Sequence, residues 1–252
     1  MKTQSCMNRL LWITLLVIGL SGCSEESSSS EENTESGTIQ DGDHTDNATV
    51  IQLNLSEQYQ TVEGMGGGVA NYEGWYCQHP NKKELFDLIF KDLEISMIRI
   101  GNWYEKKISG ENPDILKQQK EIMDAATQRL GRSNFSVMMS NWLVAPDLID
   151  RPKEKGATLK RNNEGKYMYK EFGEWCRMTL KAYQEADMSP DYLSMMNEPD
   201  GDNSAGTKIR LGYGIDDSQK ANYGKALEAT YEAFKEVSDR PKLIGPEVLG
   251  IG

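Results

Sequence analysis

From about residue 50 onward the sequence alternates short β-rich apolar runs with longer amphipathic stretches, and this alternation leaves few folds open. The β-rich runs fall at 61–62, 96–100, 135–139, 192–196 and 242–245. Between them, apolar side chains recur at helical spacing. Leu85, Leu88, Ile89 and Leu93 do so within 82–93, and Ile115, Ile122, Ala126 and Leu130 within 113–130. Met168, Phe172, Trp175, Thr179 and Tyr183 mark a helix over 167–186; Tyr223, Leu227, Thr230, Phe234 and Val237 mark another over 219–237. Pro80 and Pro113 stand near helix starts, and Gly131 follows a helix end. Strands separated by helices cannot be joined by hairpins, so they pair in parallel through right-handed crossovers. The repeat of ~30 to 50 residues predicts an α/β fold, an incomplete (β/α)8 TIM barrel with about the first five β/α units present. A doubly wound open sheet is the competing architecture.

The first 50 residues have a different composition. Lys2 and Arg9 flank the apolar run 10–20, which is followed by Ser21, Gly22 and Cys23. A charged start and a short apolar core read as a secretory signal over 1–22, too short for a membrane span. Leu20-Ser-Gly-Cys23 resembles a bacterial lipobox, which implies cleavage before Cys23 and a lipid anchor on it. Residues 23–50 are dominated by Ser and Glu and bury too little apolar surface to offset chain entropy, so they read as a disordered acidic tether. Acidic residues directly after the cysteine resemble the export signal of Bacteroidetes surface lipoproteins. The expected location is therefore the outer membrane, at the cell surface or the periplasmic face. Residues 51–252 read as the N-terminal part of the barrel domain. With 28 basic against 39 acidic residues the net charge is −11, which excludes nucleic acid as a natural partner. Cys77 and Cys176 could pair in an oxidising compartment or sit as small apolar groups. Only His44 and His79 are histidines, and no metal constellation follows from them.

The chemistry concentrates where strands end. Residues 63–69 carry a glycine cluster whose spacing fits a dinucleotide loop poorly and suits a backbone lining a pocket. Arg99 lies inside an apolar strand and requires a partner. It is either part of a structural salt bridge or the cation that holds a catalytic carboxylate ionised. Trp103 follows that strand. Trp142 follows the next one, as core filler or as a platform for a sugar ring. Asn197, Glu198 and Pro199 end the run 192–196. On a surface turn these are ordinary residues. At the mouth of a barrel, Glu198 would point into the site and Pro199 would turn the chain outward. A partly desolvated Glu there suits a general acid, and the Asn amide suits a sugar hydroxyl.

A fourth strand that ends Asn197-Glu198-Pro199 resembles the acid/base signature of the clan A retaining glycoside hydrolases. Within that clan, residues 60–68 (QTVEGMGGG), 93–101 (LEISMIRIG) and 140–146 (SNWLVAP) resemble, in order and spacing, motifs of glycoside hydrolase family 30. Leu143 and Val144 depart from the family's usual Ser-Pro. The resemblance implies Glu198 as catalytic acid/base, Asn197 as a substrate-hydroxyl contact, Arg99 as the residue near the nucleophile and Trp142 as a sugar-contacting aromatic; Trp103 joins them as a substrate-binding candidate. It also implies a β-linked glycan of the xylan or β-glucan class as substrate, with no cofactor and no metal, because two carboxylates suffice for the reaction. The family's nucleophile is a Glu at the end of a seventh strand, whereas Glu247 ends the fifth and reads as pocket-lining or structural. The chain is accordingly expected to be the N-terminal part of a longer enzyme. The alternative is a non-catalytic glycan-binding lipoprotein.

Overall fold

The computed structural model describes residues 56–57, 59, 61–152, 154–201, 209–214 and 219–249. The expected signal, the tether and Cys23 lie outside them. The chain divides into two units, residues 1–58 and Tyr59–Gly252, and nearly all described residues belong to the second.

Seven strands are present among the described residues: β1 (Gly66–Gly68), β2 (Met97–Asn102), β3 (Ser136–Asn141), β4 (Tyr192–Ser194), β5 (Leu211–Gly212), β6 (Ala221–Asn222) and β7 (Lys242–Ile244). Five form one sheet in the order β1-β2-β3-β4-β7, with every pairing parallel. The short β5 and β6 pair with each other. Strands of the main sheet add in chain order from one edge to the other. A doubly wound sheet would reverse direction at a switch point, so that architecture is not adopted.

The helices are α1 (Glu73–Gln78), α2 (Lys82–Asp87), α3 (Tyr104–Ile108), α4 (Ile115–Leu130), α5 (Tyr169–Glu185) and α6 (Tyr223–Phe234). The helices expected from periodicity thus form, with α2 widening into a π-helical turn at Leu88–Asp92. Gly131 closes α4 with φ 82°, a left-handed conformation that glycine adopts without penalty. Two short helices, α1 and α3, follow β1 and β2 and were not expected.

The first strand also differs from expectation. It lies at Gly66–Gly68 and not at 61–62, so the glycine cluster is the strand and not the loop after it. The cause is a close approach: a Cβ on Gly66 would collide with the Met97 backbone and its Cβ. Here β1 can pair with β2 only if position 66 has no side chain.

Alternate residues of the central strands divide between two faces. Ile98, Ile100, Val137, Met139 and Leu193 are almost completely buried, in one core cluster with Phe86, Phe90, Ile122, Phe172, Leu180 and Phe234 of the helices. Each such side chain contributes about 1.5–3 kcal/mol through burial. The opposite face carries Met97, Arg99, Met138 and Ser140. A charge and a hydroxyl on that face set the position of the site.

Candidate active site

Arg99 ties four strands together. Its Nε donates to Ser140 Oγ of β3 at 3.1 Å, and one terminal nitrogen donates to Asn197 Oδ1 just beyond β4 at 2.5 Å. The same nitrogen pairs with Glu247 Oε1, beyond β7, at 2.5 Å. The guanidinium carbon lies 4.2 Å from the centre of the Trp142 ring, in cation–π range. The buried-charge problem posed by the sequence is thereby solved: the partner carboxylate is Glu247.

Beyond β4 and β7 the two chains stay side by side. Asn197 and Glu247 form an isolated parallel bridge, and the Glu198 amide donates to the Glu247 carbonyl at 2.8 Å. The Asn197 amide donates to the Asn141 carbonyl at 2.9 Å. Glu198 therefore sits at the carboxyl end of the sheet, next to a residue that binds Arg99 directly. It is half-buried and has φ 48°. That left-handed conformation costs a non-glycine residue about 1–2 kcal/mol, and such strain clusters at functional sites.

Arg99 can only donate, so Asn197 must turn its oxygen toward it. Asn197 Nδ2 then points elsewhere, buried and without a hydrogen-bond partner among the described residues. Glu247 Oε2 and Tyr223 Oη are likewise buried and unpartnered. Tyr223 lies at the start of α6 against Gly245, with no room between them for a Cβ on that glycine. Burial first, then the neighbouring Tyr213 and Glu247, push its hydroxyl up to about 12. Native proteins leave few buried polar atoms unpaired, and three such atoms occur here on residues at or next to the ends of β4 and β7.

Of the sequence candidates, Glu198, Asn197, Arg99 and Trp142 meet in this cluster. Trp103 does not reach the surface: it is 1% exposed. Its indole Nε1 donates to Glu73 Oε1 at 2.7 Å, its ring centre lies 5.3 Å from that of Trp142, and Lys106 Nζ stands over it. The substrate-contact reading of Trp103 is thus corrected: both edge and faces are engaged inside the protein, and the ring braces Trp142 from behind. Gly101 leaves the room for that ring, since any Cβ there would collide with it.

Behind the tryptophans lies a polar network without sequence signature. Glu73 accepts from Trp103 and from Gln119 Nε2 (3.1 Å), Gln119 also donates to the Gly101 carbonyl, and Tyr183 Oη bonds Gln119 and Gly101. Burial raises the Glu73 carboxyl above the usual carboxylate range. Glu105, which accepts from Trp175 Nε1 at 2.8 Å, is raised for the same reason. Cys77 and Cys176 are free thiols. Among the described residues no group of three or more His, Cys, Asp or Glu side chains could hold a metal ion, and no helix is long and apolar enough to cross a membrane.

No family model and no curated protein matches the sequence. Solved structures do. The chain is similar to a glycoside hydrolase family 30 subfamily 8 xylanase from Clostridium acetobutylicum, with TM-score 0.52 and 15% identity over 78% of this chain and 45% of that one. It is similar to an endo-β1,6-glucanase, with TM-score 0.54 and 13% identity over 76% and 45% of the two chains. A conserved exported protein from Bacteroides fragilis gives TM-score 0.57 and 14% identity, over 77% and 45%. The chain spans 45% of the length of each of these relatives. At such identities the likeness is one of fold. Over the part it spans, this chain has a fold like that of glycoside hydrolase family 30.

Proposed function

We propose that the chain carries the acid/base side of a retaining glycoside hydrolase site, built on part of a (β/α)8 barrel and directed at a neutral or substituted β-linked glycan of the xylan or β-glucan class. The carrying observation is the pairing of half-buried Glu198 with the unpartnered Asn197 amide at the end of β4. In this reading Glu198 hands its proton to the departing glycosidic oxygen and then, as carboxylate, takes one from the water that completes hydrolysis. Asn197 Nδ2 donates to a ring hydroxyl, an interaction that strengthens as positive charge develops at the anomeric carbon. Trp142, held by Arg99 and Trp103, offers the exposed part of its indole to the apolar C–H groups of a sugar. Retention requires a second carboxylate ~5–5.5 Å from the first. Glu247 is engaged by Arg99 and is not assigned the attacking role. Cys23 carries a lipid anchor at the outer membrane in the same proposal.

Hydrolysis of β-linked oligosaccharides by the protein as the cell makes it tests the assignment. Glu198→Gln is expected to lower kcat by about 10²–10⁴-fold while sugar affinity holds. Unchanged turnover removes Glu198 from the mechanism. The Trp142 face and the Asn197 amide equally suit a non-catalytic glycan-binding lipoprotein. Sugar binding with no hydrolysis by the protein as the cell makes it would favour that reading.

A further inference from the structure

On the side of the sheet away from Arg99, the helix layer leaves a gap. In the parallel register Gly67 stands opposite Ile98, and Gly68 opposite Arg99. Position 67 therefore faces the helices with Ile98, away from the candidate active site. A Cβ added to Gly67 would meet no atom within 4 Å. The space there is a cavity of about 190 Å³. Its floor is Phe90, Ile98 and Ile122, each 2% exposed or less, and its rim includes the half-buried Tyr76, Ile89 and Ile95. Among the described residues no charged side chain lines it, and the Tyr76 hydroxyl is the one polar side-chain group that does. Gly67 and Gly68 are exposed, so the mouth lies along β1. The facing wall is irregular in its own right. Ile89 and Phe90 belong to the π-helical turn Leu88–Asp92, closed by the Leu93 amide on the Leu88 carbonyl at 2.9 Å. Turns of this kind occur mostly inside α-helices and frequently at functional sites.

We propose that this cavity is a binding site for one small neutral hydrocarbon molecule of the size of a benzene ring. Apolar cavities near this size, walled by Ile and Phe, stay dry and take benzene or xenon. Water needs several polar partners and finds a single hydroxyl here. A hydrocarbon ring leaves no polar atom unpaired when it enters, and it gains contacts with every wall. A charged ring would shed its hydration with no counter-charge to meet it. A sugar would lose the water that binds its hydroxyls, so the cavity is no extension of the candidate active site. The device that opens it is the missing side chain at position 67: any larger residue there would fill the space beside Ile98.

Benzene titrated into the protein, followed by the isoleucine methyl signals in NMR, tests this. The expected Kd is about 0.1–1 mM, with the largest shifts on Ile89, Ile95, Ile98 and Ile122. Benzoate is expected to bind at least about 10-fold more weakly. Gly67→Val puts a β-branched side chain into the space. It should weaken benzene at least about 10-fold while the thermal midpoint holds or rises. Xenon located in pressurised crystals of the wild type supplies a position that depends on no variant. Saturating benzene with no response overturns the proposal, whether the cavity closes or another part of the protein fills it. So does benzoate that binds as tightly as benzene, or benzene binding that survives Gly67→Val in a folded protein. Should Gly67→Val fail to fold, xenon decides: a peak beside Ile98 and Ile122 supports the site, and none there overturns it. Each outcome is independent of the glycosidase reading, because no probe carries a glycosidic bond.

Discussion

Glu73 is 1% exposed and has two donors, Trp103 and Gln119, on one of its oxygens. Burial, the largest influence on its carboxyl, raises its folded-state affinity for a proton above that of the unfolded chain. The folded state therefore holds a proton that the unfolded state has released, and stability falls as pH rises from the ordinary value of 4.5 through the raised one. A glutamine keeps the acceptor oxygen and removes the buried charge. Glu73→Gln is thus expected to match the wild type in acid and to exceed it near neutrality by on the order of 1 kcal/mol, as read from urea midpoints across pH. A variant less stable than wild type at pH 7 would show that the charge itself holds Trp103. The site residues divide along the same line. The meeting of Arg99, Asn197 and Trp142 at the strand ends was legible because polar or aromatic side chains there conflict with an apolar run. Tyr223 was not, because it follows the core periodicity of α6, and Glu73 was not, because α1 is too short to show one. Trp103 was misread because sequence cannot tell which face of a turn after a strand looks inward.

At the scale of elements, α5 and α6 approach closely at Gly173. A Cβ there would drive into the Ala229 carbonyl, a backbone atom that cannot rotate away. Gly173→Ala is expected to cost about 1–3 kcal/mol, because the whole α6 backbone must shift to make room. A fall in thermal midpoint of several degrees checks this, and an unchanged midpoint would mean that the helices slide freely. Helices such as α4 and α5, at 16 and 17 residues, were legible because several turns of spacing reinforce one another. Strand β1 was not, because its three glycines have no side chains and so no alternation to read; only the close approach to Met97 reveals why they pair. The left-handed backbone of Glu198 was equally hidden, since nothing in Asn-Glu-Pro marks φ.

At the scale of the molecule, the main sheet has two outer strands, β1 and β7, each paired on one side among the described residues. Helices cover the buried face of this parallel sheet, as all-parallel sheets require. The lipid anchor proposed at Cys23 has its own test. Cys23→Ser is expected to shift the protein from the membrane fraction to the soluble fraction on cell fractionation, with loss of radiolabelled palmitate incorporation. Retention of both would dismiss the anchor. Among the described residues, Trp103 and Trp142, 5.3 Å apart with one ring sealed inside and the other half-open beside a guanidinium, also make the site its own optical reporter. Two indoles so close couple their electronic transitions, and a sugar settling on the outer ring would alter the dielectric around only one of them. Ligand entry can therefore be followed in the emission and near-ultraviolet dichroism of the native chain, with no dye attached.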